Sequence, residues 1–107
     1  MKVYNLRNTD GKAQANQFVI MALTTTVFQS YESTIAHIDG ASKIITIGRD
    51  WNYSRTTARH FYEFMRQYAP LVDFPWCKAT IDHLLMYGNF TDKFGRLWQI
   101  LYDESMN

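Results

Sequence analysis

The chain has 107 residues, the usual length of one domain and too short for two separate cores. Hydrophobic residues make up 47% and aromatic residues 16%, so either the core is built from large rings or some rings sit outside and bind something. A net charge of +1 excludes an acidic mimic of nucleic acid and gives no whole-chain ground for a nucleic-acid binder; only a local basic patch would supply one.

In chain order, residues 1–6 read as a strand, with Val3 and Asn5 on one face and Tyr4 and Leu6 on the other. Asp10-Gly11 marks a turn inside the polar segment 7–15. Residues 17–24 form an apolar run suited to a buried strand, and 25–30 form another. The break between them is left undefined, because the β-branched Thr24-Thr25-Thr26 is poor turn material. Residues 32–38 alternate, with Thr34, Ala36 and Ile38 on one face and Ser33, Ile35 and His37 on the other. Asp39-Gly40 then turns the chain into a strand over 43–48.

The period changes after Gly48. Residues 49–53 read as a loop, and Ser54 suits the N-cap of a helix running to about Tyr68, where Ala58, Phe61, Phe64, Met65 and Tyr68 share a face. Pro70 ends it. A second helix is expected from Asp73, with Pro75 in its first turn, through Cys77, Ile81, Leu84 and Leu85 to a stop at Gly88. After a turn at 92–95, the alternation of Trp98, Ile100 and Tyr102 favours a closing strand over a short helix. The expected fold is α+β over residues 1–107: an antiparallel β-meander sheet with two helices packed on one face.

The placed groups that catalysis and metal binding need are not written into the sequence. His37, His60 and His83 lie on different elements, without metal-ligand spacing, and no phosphate-binding glycine loop occurs. Ser54 reads as a helix cap rather than a nucleophile, and Cys77, on the apolar stripe of the second helix, as an inert core thiol rather than one activated by the start of that helix. As the single cysteine it excludes an intramolecular disulfide. The expectation is no enzyme, no metal and no cofactor. The N-terminal residues lack the pattern of a secretory signal, and no apolar run approaches the ~18 residues that span a bilayer. A cytoplasmic protein with no membrane partner is expected.

The candidate partner-binding residues are Arg49, Trp51, Tyr53, Arg55, Arg59, Tyr62 and Arg66. On a helical wheel Arg55, Arg59 and Arg66 fall within about 40° of one another, with Tyr62 beside them. Guanidinium groups in a line suit phosphates and stacked bases, and equally suit carboxylates on a protein partner. A third reading is a solvated face on which Arg59 pairs with Glu63. Trp51 and Tyr53 either present rings to a partner or fold back over the sheet edge. On the second helix, Trp76, His83 and Tyr87 flank the apolar stripe and either widen the core contact or form a recognition patch, such as a homodimer interface.

The run Val27-Phe28-Gln29-Ser30-Tyr31-Glu32-Ser33-Thr34-Ile35-Ala36 and the run Gly48-Arg49-Asp50-Trp51-Asn52-Tyr53-Ser54-Arg55-Thr56-Thr57 resemble small proteins of bacteriophages and bacterial mobile elements. The resemblance spans roughly residues 17–68 and carries no catalytic residues over. It implies a phage-encoded, non-enzymatic protein acting stoichiometrically on a host protein. Expected targets are defence nucleases, including CRISPR effectors and their nucleic-acid-bound complexes. The alternative function is a small nucleic-acid-binding module that uses the same arginines.

Overall fold

The structure, a computed structural model, describes residues 1–71 and 75–107. Seven strands, β1 (Lys2–Arg7), β2 (Ala13–Ala22), β3 (Thr25–Ser30), β4 (Ser33–Asp39), β5 (Ile44–Gly48), β6 (Asn89–Thr91) and β7 (Leu97–Asp103), form one sheet. The spatial order is β1-β2-β3-β4-β5-β7-β6. Helices α1 (Arg55–Tyr68) and α2 (Lys78–Tyr87) lie between β5 and β6 in the chain. The fold is α+β, as its sequence patterns predict.

The first five strands are a meander closed by short turns. The uncertain break falls at Leu23-Thr24, where Leu23 takes a left-handed φ of 46° and the Thr25 hydroxyl donates to the Ala22 carbonyl. The triplet that resists a turn thus contributes one turn residue and a side chain that fastens it. In β4 the strict alternation fails. Phe28 pairs with Ala36 but Gln29 pairs with Thr34, so Ile35 is an extra residue, and both Ile35 and Ala36 turn into the core.

Inward-facing positions align across the sheet. Val19, Phe28, Ala36 and Ile47 make one row, and Ile38, Ile45 and Ile100 extend the next. Phe61, Phe64 and Met65 of α1 and Ile81 and Leu84 of α2 join the same core cluster, so both helices cover one face of the sheet. Phe64 stacks on Phe28 with ring centroids 5.3 Å apart. On the opposite face Val3, Ile20, Val27, His37, Thr46 and Leu101 form a cross-strand row that neither helix buries.

The sheet departs from the expected antiparallel meander at one junction, where β7 pairs with β5 in parallel. A parallel neighbour requires a crossover, and the helical segment provides it. The hairpin partner of β7 is β6, too short at three residues to show an alternation. Ser54 caps α1 as its residue type predicts, its Oγ accepting from the Thr57 N–H at 3.1 Å. The first turn of the second helix, placed at Asp73, lies outside the described residues. Pro75 and Trp76 are not helical; α2 begins at Lys78 behind Cys77, and Gly88 ends it with a left-handed φ of 74°.

Candidate functional site

The segment 49–53, expected as a loop, contains a 3-10 helix, Arg49–Asn52, between β5 and α1. This tight turn folds Trp51 inward. Its ring lies 5.4 Å from Phe61 and 6.2 Å from Tyr62, and the residue is only 5% exposed. Trp51 therefore belongs to the core and drops out of the candidate surface. Tyr53, two residues on, is 81% exposed. The pair expected to act together is split by the local helix, one ring in and one out.

On α1 the apolar face is committed to the sheet, which leaves Arg55, Arg59 and Arg66 exposed on the other side. Glu63 joins Arg66 rather than Arg59: Arg66 Nε donates to Glu63 Oε2 at 3.0 Å, and Arg66 Nη2 contacts the same oxygen. The ion pair is thus i,i+3, and no ion pair to Arg55 or Arg59 forms among the described residues. Arg49 lies apart from this face, its Nε 3.9 Å from the neighbouring Asp50 carboxylate.

Arg59, Tyr62 and Arg66 also wall a groove of about 430 Å³, closed by Thr9 from the β1–β2 turn and by Pro75 and Trp76 before α2. Tyr62 is half-buried here, and burial raises its hydroxyl above the ordinary tyrosine range, with the Cys77 and Asp82 charges acting in the same direction. It remains a neutral hydrogen-bonding phenol at working pH. The groove gives the arginine face a concave, partly aromatic neighbour. Trp76, expected either to widen the core contact or to join a recognition patch, packs against the core and also walls this groove, a placement beside α1 that the sequence pattern does not give.

The remaining candidates separate. Cys77 is not a core thiol but the half-buried N-cap residue of α2, and its Sγ lies 3.5 Å from the Thr80 hydroxyl. That hydroxyl, followed by the Thr80 and Ala79 N–H groups, favours the thiolate and lowers the thiol pKa. His83 and Tyr87 do not widen the core; both are exposed and their rings pair with centroids 4.6 Å apart. Among the described residues no group of three or more His, Cys, Asp or Glu side chains is placed to hold a metal ion. None of the helices described is long and apolar enough to cross a membrane.

These features define an α+β domain with a basic face borne on α1. Residues 1–83 match the model of a family of unknown function (DUF8033), and the chain belongs to that family. The match takes in β1–β5, α1 and part of α2. Neither a curated protein nor a solved structure matches the chain.

Proposed function

We propose that the chain is a non-enzymatic binding protein whose exposed α1 face docks an acidic surface of a partner protein. The observation that carries this reading is the grouping of Arg55, Arg59 and Arg66 on one solvent-facing side of α1, next to the groove walled by Tyr62 and Trp76. Guanidinium groups fork carboxylates, and a half-buried ring beside them offers an anchor. Glu63 favours a protein over nucleic acid: a carboxylate flanking the arginine line and paired with Arg66 suits a partner with discrete charges better than a continuous phosphate track. Action on a host protein in the bacterial cytoplasm is the particular form of this reading that the phage resemblance implies, with a defence nuclease as the first target to examine.

The test is capture from nuclease-treated bacterial lysate with the wild-type chain and with an Arg55→Glu/Arg59→Glu/Arg66→Glu variant. A discrete protein retained by the wild type and lost by the folded variant is expected. Equal retention by both would place the binding surface elsewhere. Material lost on nuclease digestion would instead favour the nucleic-acid reading, which predicts log K falling with log salt at a slope of about −2 to −3 for three phosphate contacts.

A further inference from the structure

The interface between α1 and the sheet changes character along its length. Around Phe64 it is closed ring against ring, over the apolar row Val19–Phe28–Ala36–Ile47. The next inward row is Gln17–Ser30–Ser33, polar at every position. One turn before Phe64, α1 carries His60 opposite this row, with Thr56 and Thr57 a turn earlier still. Between helix and sheet lies a cavity of about 560 Å³. That is the size of a small-molecule site.

Gln17 lines this cavity, is 4% exposed, and its Oε1 has no hydrogen-bond partner among the described residues. A buried acceptor left unmatched opposes folding, and such groups are few in native proteins. Ser30 and His60, also cavity-lining, are buried too. At the rim stands Tyr31, an exposed ring held on a left-handed φ of 53°, its N–H donating at 2.7 Å to the carbonyl of Asn16, itself at φ 61°. Tyr53 contributes a second exposed ring.

Charge narrows the ligand. The lining contains no Lys or Arg, and its one carboxylate is Asp50. Burial, reinforced by the Arg59 charge and opposed by Glu63, lowers the His60 pKa and keeps the imidazole neutral. A phosphate or carboxylate would meet Asp50 with no cation in the lining. An uncharged ligand would meet hydroxyls, an imidazole and a carboxamide.

We propose that this cavity binds a small, uncharged, planar ligand with a cyclic amide edge, the ring –CO–NH– found in uracil- and hypoxanthine-type bases. A carboxamide offers an acceptor and a donor side by side, and a cyclic amide edge complements both. The ring N–H donates to Gln17 Oε1 and the ring carbonyl accepts from Gln17 Nε2, while Tyr31 and Tyr53 cover the ring face. This site is independent of the arginine face of α1.

The test is a titration of the ¹⁵N-labelled chain with uridine and inosine, and in parallel with 3-methyluridine and 1-methylinosine, which lack the ring N–H. Saturable shifts at Gln17, Ser30 and His60 are expected from uridine or inosine, with binding at least about tenfold weaker for the methylated partner. Gln17→Met should weaken binding by a similar factor while the spectrum stays dispersed. No saturable shift from either nucleoside up to about 10 mM, where any affinity is negligible, would overturn the proposal. Equal binding of the methylated compounds would overturn it as well, whether or not the Gln17 variant folds.

Discussion

At the residue scale the tightest construction is Asp92, in the turn between β6 and β7. Its carboxylate accepts from the Phe94 N–H at 2.9 Å, the Arg96 N–H at 3.0 Å, Arg96 Nε at 2.9 Å and the buried Trp98 Nε1 at 3.0 Å. Burial on its own would raise the pKa of this group. The hydrogen bonds from Arg96, Trp98 and Phe94 outweigh burial and hold it well below the usual carboxylate range. The sign follows: a depressed native pKa means that the unfolded chain binds the proton more readily. The stabilisation is full above the unfolded carboxyl value of about 3.9 and is lost as pH falls below it. Urea unfolding measured from pH 7 downwards should show stability dropping through that acid window. Asp92→Asn should lower stability at pH 7 and flatten the drop. An unchanged acid profile in the variant would show that other carboxylates set it. The sequence marks this position only as a turn; the convergence of four donors depends on where Trp98 lands in β7.

At the scale of elements, legibility followed local pattern. Ser54, the Phe61/Phe64/Met65 face and Gly88 delimit and orient their helices through capping and periodicity, which operate within a few residues. The inward turn of Ile35 is hidden from the alternation of β4, because the bulge shows only in the register of its pairing with β3. The choice between the two orientations of Trp51 is hidden for the same kind of reason: whether a junction ring points in or out depends on the 3-10 turn and on Phe61 arriving behind it. Gly48 shows a close approach that no spacing reveals. A Cβ there would stand 2.9 Å from the Thr34 carbonyl oxygen, 3.0 Å from that of Met106 and 3.3 Å from that of Ile35. These are backbone atoms pinned by the sheet and by the chain end folded over it, so they cannot step aside cheaply. Gly48→Ala should therefore destabilise the fold by about 1–3 kcal/mol, the usual range for overpacking. A lowered urea midpoint at unchanged slope would report it; an unchanged midpoint would contradict the close packing of these carbonyls around Gly48.

At the scale of the whole molecule, the meander and the helical segment were readable, and the parallel placement of β7 beside β5 was not. Alternation in a strand says which residues face inward but carries nothing about direction or neighbour. The crossover itself settles that, by returning the chain to the far side of β5. The outcome leaves each surface with its own chemistry. One sheet face is packed, the other carries the half-buried row through Ile20, Val27 and His37, and the solvent side of α1 carries the arginines. Of the seven candidate residues, Arg55, Arg59, Tyr62 and Arg66 share this side or its groove. Tyr53 is exposed just before the helix, where it also rims the polar cavity. Arg49 stands beside Asp50, and Trp51 is core.

The proposed partner site is the exposed face of α1. Adding the captured partner to the ¹⁵N-labelled chain tests this directly, by recording which resonances shift or broaden. The prediction is a footprint centred on Arg55, Arg59, Tyr62 and Arg66 and extending to Thr9 and Trp76. A footprint on Val3, Ile20, Val27 and Leu101, with the α1 resonances unmoved, would contradict it and assign binding to the open face of the sheet.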